Sequence, residues 1–573
     1  MTGPSVRAKL AGKVFTLLLL SLTTILAACG GGSTAPTSTP ARASILRVNP
    51  SPGKTNPDLF NPFFTVNGGS SFGTQGLLYE TLYFVNLYNG KEEPWLASSY
   101  SYSSDLKTLT FTMNSKVKWN DGQPLTSQDV LFSFNLMKKY PALDQNSIWP
   151  TLLSNVTAPD ANTVAFTLQH VDSTAVYRIG AQQYIVPQHV WSTVSGDPSK
   201  FTNDKKPVGT GPYVLDSWTA PLVTYKVNSS YWGIKPAVQE IQVPSVKDNT
   251  TAITDMIKGQ LDWLGSGWDP ALDPSFSGKD PAHNHTWFAA SNTVMLYLNL
   301  QKAPFNNLLV RKAISTAINR DQLPQGVAQY AKVAHPTGVI IPNLNDWIAP
   351  QLQSDTFSYS TAQAKTYLQS AGMKMGSDGF FQFNGKDFAL TLDVVNGWND
   401  WDQDTAFIQK DLTAAGIKAT INTQADYTTY YTAISTGAYD AALSWTNSGP
   451  TPYYGYQGML NSANSAAAGK TISGTNFERW DAKTSNGYSA KVDAALLQYE
   501  ESKDVTAQKA ALANVEQIMV DQLPAIPLTV NVYWMEYTTT NWTNWPDASN
   551  PYDAGAPYLA PDSEYVILHL KAA

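Results

Sequence analysis

Cysteine occurs once in 573 residues, at Cys29. No intramolecular disulfide is available, so the fold must be held by core packing, which a chain of this length can supply. Charge is also scarce. Only 14% of residues are Asp, Glu, Lys or Arg, and polarity comes from Ser, Thr, Asn and Gln. The formal charge is −7, and an acidic balance argues against nucleic-acid binding, which needs a basic face. Beyond the N-terminus no apolar run approaches the about 20 residues of a membrane span. No internal repeat is visible.

The motifs of catalysis are missing too. The six histidines are His170, His189, His283, His285, His335 and His569, and none forms an HExxH pair. His283 and His285 have no Cys or acidic cluster beside them and read as a solvated loop rather than a metal site. There is no Gly-x-Ser-x-Gly elbow. The run AAAGKT at 466–471 resembles the end of a phosphate loop, but Asn464 stands where the leading glycine belongs and no strand precedes it. Carboxylate pairs such as Asp400 and Asp402 could serve a glycosidase, yet sequence cannot place two carboxylates across a sugar. The expectation is no catalytic residue, no cofactor and no metal, with an exported hydrolase as the alternative of another class.

What is present begins at the N-terminus. Arg7, Lys9 and Lys13 precede a short apolar stretch, Val14 to Ile25, and then Leu26-Ala27-Ala28-Cys29. The stretch has signal-peptide length. The arrangement resembles a bacterial lipoprotein signal, in which the cysteine is lipidated and becomes the first residue. Two or more acyl chains anchor stably where one does not. Loss of residues 1–28 would remove three basic residues and take the charge from −7 to −10. Residues 29–44 are rich in Gly, Ser, Thr and Pro and read as a flexible tether. The expected location is the cell envelope, on the outer face of the cytoplasmic membrane or in the periplasm.

Alternating apolar residues predict strands over Thr108–Met113, Thr163–Leu168, Leu222–Val227, Thr293–Leu298 and Phe388–Val395. Thr126-Ser127-Gln128-Asp129 reads as a capping-box start, with Val130, Phe134 and Met137 at helical spacing. Thr361–Ala371 and Val505–Leu523 are further helices. Phe388–Val395, a helix over Gln403–Ala415 and a strand over Ile417–Ile421 make a β-α-β crossover, which implies parallel strands covered by helices. Ala438–Trp445 is a further strand whose polar loop starts at its C-terminal end, the edge where α/β sheets bind ligands.

Aromatic residues are 12%, with 17 Trp and 29 Tyr. Most belong to a large core. Several Trp, however, sit in polar segments: GWNDW at 397–401, SWTNSGP at 444–450 and NWTNWP at 541–546. A Trp in a polar loop has no core to fill unless it lines a cavity.

Taken in order, PLTSQDVLFSFNLM at 124–137, VGTGPYVLDSW at 208–218, YWGIKP at 231–236, VQEIQVPSVKDNTTAITDMIKGQLDW at 238–263 and LYLNLQKAPFNNLLVRKAISTAINRDQL at 296–323 resemble the family 5 extracellular solute-binding proteins. These serve ATP-binding-cassette importers for peptides, nickel and oligosaccharides. The resemblance runs from about residue 45 to the C-terminus. It implies an α/β, two-lobed periplasmic-binding-protein-like fold with an extra domain, closing around a ligand by hinge motion. It also implies ABC permease subunits as partners and a monomeric, non-enzymatic chain. The expected division is residues 45–85, 204–290 and 515–573 for lobe one, 86–203 for the extra domain and 291–514 for lobe two.

Peptide-binding members of the family place an aspartate after the strand corresponding to 438–445, where it pairs with the peptide's amino group. Here Trp445-Thr446-Asn447-Ser448 puts Ser448 in that place. A buried ammonium without an anion is costly. The Trp-rich segments instead resemble the subgroup that binds cellobiose and longer β-glucosides. Flat rings suit the C–H faces of a pyranose, and Asn, Thr and Ser match its hydroxyls. The candidate ligand residues are Trp398, Trp401, Trp445, Asn447, Ser448, Tyr453, Tyr454 and Trp545. The expected ligand is an oligosaccharide, with an oligopeptide as the alternative.

Overall fold

The strand signals gather into two separate mixed sheets, each with its own core. The computed structural model describes residues 44–64 and 72–573; Cys29 and most of the tether lie outside them. The first sheet has seven strands in the order Asn284–Thr286, Glu536–Thr538, Trp263–Leu264, Ile45–Asn49, Glu240–Pro244, Leu222–Val227 and Tyr213–Thr219. The second has six, in the order Lys332–Val333, Ile526–Tyr533, Ala289–Leu298, Ala441–Trp445, Ala389–Val395 and Lys418–Gln424. Leu46, Val48 and Ile241 belong to the first core, while Leu296, Leu392 and Leu443 belong to the second.

The chain passes between the sheets at two closely spaced points. Thr286 ends a strand of the first sheet and Ala289 begins one of the second. Tyr533 ends a strand of the second sheet and Glu536 begins one of the first. The second passage departs from the expected boundary at 515. Helix Val505–Gln522 buries Leu512, Val515, Ile518 and Met519 in the second core, and Ile526–Tyr533 is an interior strand of the second sheet. Helical spacing identifies an apolar face but not which of two cores receives it, so the lobe changes at 533–536 rather than at 515.

The extra domain is a four-stranded antiparallel sheet, ordered Ala97–Tyr102, Thr108–Met113, Thr163–Leu168, Leu153–Asp160. Leu109, Phe111 and Met113 alternate inward with Val164, Phe166 and Leu168 facing the same core. Helix Ser127–Lys139 covers them with Val130, Phe134 and Met137, and its capping box at Thr126 and Asp129 forms as the sequence implied.

The Gly-Thr-Gly-Pro-Tyr turn is structural. A side chain at Gly209 would put a carbon 1.9 Å from the Leu78 carbonyl oxygen, and one at Gly211 would meet that of Leu77 at 2.2 Å. These glycines let two backbones touch, and the Gly211 N–H donates to Leu78.

The crossover is as expected. Ala389–Val395 pairs in parallel with both Lys418–Gln424 and Ala441–Trp445, so three strands end at one edge of the second sheet.

Candidate functional site

That shared edge positions the site. The chain leaves Val395 into Trp398, leaves Gln424 into Tyr427, and ends the third strand at Trp445. Parallel pairing therefore brings three aromatic residues from distant parts of the chain to one place. Trp398 lies 5.5 Å from Trp445 with planes 17° apart, and 5.6 Å from Tyr427 at 18°. Tyr427 and Trp445 are 6.3 Å apart at 14°. The three rings form a near-parallel panel.

Residues 397–401 are not a loop throughout. The helix runs Asn399–Ala414 and starts before the expected Gln403, with Trp398 as its N-cap residue. Trp401 is thereby carried inward and is buried. It supports the panel edge-on, 5.0 Å from Trp398 at 73°.

Trp398, Trp401 and Trp445 line a cavity of about 430 Å³ between the two sheets. Its opposite wall comes from the first lobe, as Trp268 and Asp269 after strand Trp263–Leu264 and Asn249 at a helix start. Second-sheet strands beside the two passages add Ser291, Asn292 and Asn531, and the second passage adds Trp534. Trp534 packs edge-on against Tyr330, 4.4 Å away at 70°. The sequence reading missed Trp268, Trp534, Tyr330 and Tyr427. The capping Asp426 just after a predicted strand was the one local signal for Tyr427.

The lining, among the described residues, contains no Lys, Arg or His. Two carboxylates face it. Asp400 accepts a hydrogen bond from the Tyr330 hydroxyl at 2.7 Å, and Asp269 caps the backbone N–H of Ala271 at 2.9 Å. One helical turn beyond Asp400, burial and then the Asp400 charge hold the Asp404 carboxyl well above the usual range. Such a cavity is acceptor-rich, aromatic and without positive charge, which disfavours anionic ligands. Among the described residues no group of three or more His, Cys, Asp or Glu is placed to hold a metal.

The other candidates lie elsewhere. The Ser448 hydroxyl donates to the Ser291 carbonyl at 2.9 Å, behind the cavity wall. Asn447 turns toward helix Pro452–Leu460, where the absence of a side chain at Gly458 makes room for it. Tyr453 is buried, donates to the Glu500 carboxylate and stacks on Tyr499. Tyr454 meets Tyr177 of the extra domain edge-on at 4.9 Å. Trp545 is 3% exposed, sits between Trp263 and Tyr537, and donates its indole N–H to the Trp542 carbonyl at 2.9 Å. It fills the first core, and its polar neighbours in sequence gave no hint of that.

Comparison with known proteins places the chain by family and fold. The model of the bacterial extracellular solute-binding proteins, family 5, matches residues 91–467. The chain is 29% identical over 362 residues to the nickel-binding periplasmic protein of Escherichia coli, covering 60% of this chain and 64% of the relative, slightly under two thirds of its length. It is 25% identical over 500 residues to the dipeptide-binding protein of the same organism, covering 82% and 87%. A periplasmic oligopeptide-binding protein of an oligopeptide ABC transporter from Thermotoga maritima superposes with a TM-score of 0.81 at 27% identity, over 92% of this chain and 99% of the other. A mannohexaose-bound structure of such a protein from that organism gives 0.76 at 27% identity, over 93% and 99%. With two sheets, two passages between them, an aromatic cavity at the junction and a family match over most of its length, this chain belongs to the family 5 bacterial extracellular solute-binding proteins.

Proposed function

We propose that the chain is the solute-binding component of an ABC importer, that it is anchored to the cell envelope through Cys29, and that its ligand is a neutral oligosaccharide. The observation that carries the ligand reading is the pair Trp398 and Trp445 on a cavity wall without a basic residue, with Tyr427 near-parallel beside them. Pyranose rings stack on such faces, and Asn249, Asn292 and Asn531 supply donors and acceptors for hydroxyls. The mannohexaose held by the Thermotoga maritima relative supports the same ligand class. The reading is capture without turnover, in line with the transport proteins that the chain resembles.

An oligopeptide is the second reading. It rests on Asp400, a carboxylate on the cavity wall able to face an ammonium although Ser448 replaces the expected aspartate. Isothermal titration against cellobiose to cellopentaose, mannohexaose and di- to pentapeptides decides between them. Micromolar or tighter binding of one sugar series, with peptides silent and the sugars recovered intact, is the expected result. Tight peptide binding with silent sugars would overturn it. Mass spectrometry of ligand that co-purifies with the chain gives an independent answer.

A further inference from the structure

A second cavity, of about 180 Å³, lies between the first lobe and the extra domain and shares no lining residue with the aromatic one. Asp562 lines it, in the first turn of helix Asp562–His569, and is 1% exposed. Neither of its carboxylate oxygens meets a side-chain donor among the described residues; its own backbone N–H and that of Leu87 lie toward it. The helix N-terminus favours a negative charge there. Asp553, also fully buried, places a second carboxyl beside it with Oδ2 unpartnered. The described lining holds no Lys, Arg or His, and residues 65–71 contain no basic residue in sequence.

Three amides of the lining have their nitrogens engaged by backbone. Gln145 donates its nitrogen to the Ala142 carbonyl at 2.6 Å, Asn146 to that of Gln182 at 3.3 Å, and Gln183 to that of Arg178 at 3.0 Å. Spending the nitrogens on backbone leaves the side-chain oxygens as acceptors. The lining thus combines amide acceptors, Gln183 buried and Gln145 and Asn146 exposed, with a buried carboxylate without a counter-charge, a costly arrangement unless something cationic completes it.

We propose that this cavity binds the primary ammonium group of a small amine, held by Asp562 and the amide oxygens of Gln145, Asn146 and Gln183. An ammonium brings three donors and one positive charge, which suits one carboxylate and several amide oxygens. A metal would want more charged ligands, and no group of three is placed for one among the described residues. The rings of Tyr177 and Tyr184 offer a face for the amine's carbon body. The site does not depend on the sugar reading, since it uses none of the aromatic panel.

The groups that face Asp562 are Asp553, Tyr177, Tyr184 and Tyr533, all neutral or acidic. Burial pushes the Asp562 carboxyl up to about 7, against the pull of its own backbone N–H and that of Leu87. The ammonium pairs with the ionised form, so affinity must rise with pH through that value. The test is calorimetric titration of the full chain with ethylammonium chloride at pH 6 and pH 8, with sodium chloride as the ionic control and calcium chloride as a competitor cation. Expected are saturable binding at millimolar or lower concentration at pH 8, at least about fivefold weaker binding at pH 6, and a loss of tenfold or more in Asp562→Asn with Trp398→Ala unaffected. Gln183→Leu, which keeps the carboxylate, should weaken binding severalfold and covers the case in which Asp562→Asn does not fold. Absence of saturation at pH 8, unchanged affinity in Gln183→Leu or in a folded Asp562→Asn, or calcium binding with ethylammonium silent would overturn the proposal.

Discussion

Ser173 of the extra domain donates its backbone N–H to the Glu500 carbonyl at 2.7 Å, so the extra domain is hydrogen-bonded to the second lobe. The Ser173 hydroxyl adds a bond to the Tyr499 carbonyl at 3.2 Å, and Tyr453 donates to the Glu500 carboxylate. These contacts bridge elements that would separate if the lobes opened. Tyr453 and Tyr454 both take part in contacts at this junction.

The first prediction follows from that bridge. Burial, and then Asp172, push the Glu500 carboxyl up to about 7, against the pull of Tyr453 and Arg178; Glu501 adds a smaller upward push. Arg178 is itself paired with Asp172 at 3.4 Å. A raised carboxyl means that the closed form holds a proton the open form releases. Closure is then fully supported below the ordinary glutamate range and weakens as pH rises through about 7. Ligand affinity should fall by roughly tenfold between pH 5 and pH 8. Titrations in two buffers of different ionisation heat should show proton uptake on binding near neutrality. Glu500→Gln should flatten both trends, and a pH-independent wild type would refute the link.

A second prediction concerns stability. Glu80 is fully buried and accepts from the Trp95 indole at 2.7 Å, the Tyr231 hydroxyl at 2.7 Å and the Trp232 indole at 3.2 Å. Glu564, from the C-terminal helix, shares a hydrogen bond with it. Two carboxyls in contact need a shared proton, and burial raises both. The folded state therefore binds more protons than the unfolded one, and this contribution is lost as pH rises. Glu564→Gln supplies a permanent donor, so its melting temperature should fall less than that of the wild type between pH 6 and pH 9. Glu564→Ala removes the partner and should cost about 2 kcal/mol at neutral pH. Parallel melting curves for wild type and Glu564→Gln across that range would sink the shared-proton account.

Much of the architecture was legible because its signals are local. Thr108–Met113 and Thr163–Leu168 alternate strictly, and the crossover from 389 to 424 carries both periods in one short segment. Parallel pairing then makes the convergence of Trp398 and Trp445 a consequence of strand direction. The helix start at Asn399 was hidden because Trp398 caps it without a side-chain bond, and Gly397-Trp398-Asn399 looks like a turn. The far wall was not legible at all. Trp268 follows a strand of the first sheet and Trp534 lies in the second passage, so both meet the panel only because the two sheets face each other, a long-range property no spacing encodes. Trp545 misled for the opposite reason, since Asn541, Thr543 and Asn544 surround a core residue whose partners, Trp263 and Tyr537, are distant in sequence or strand.

The third prediction concerns location. Leu26-Ala27-Ala28-Cys29 precedes a Gly/Ser/Thr/Pro tether, and a chain lipidated there would be held at the membrane by its acyl groups. Cells expressing the chain and fed a palmitate analogue should label it. Cys29→Ala should abolish the label and shift the protein either to an uncut precursor or into the medium. Label that persists in Cys29→Ala would show that a different anchor operates.

The last prediction sets the two kinds of tryptophan against each other. Trp398 and Trp445 are partly exposed at the cavity, while Trp545 is 3% exposed in the first core. If the panel holds the ligand, Trp398→Ala or Trp445→Ala should cost roughly 2 kcal/mol of binding, as at a hot spot, or about thirtyfold in affinity. The melting temperature should change little, because no core is emptied. Trp545→Ala should do the reverse. It opens a cavity between Trp263 and Tyr537 and should lower stability by about 3 kcal/mol or more, with ligand affinity of the folded fraction nearly unchanged. Binding to a neutral sugar should also vary little with salt, since no exposed ion pair is screened. Calorimetry and thermal melts on the three variants separate these outcomes. Equal loss of affinity in all three would mean that the effect travels through the fold, and the panel would lose its claim to the ligand.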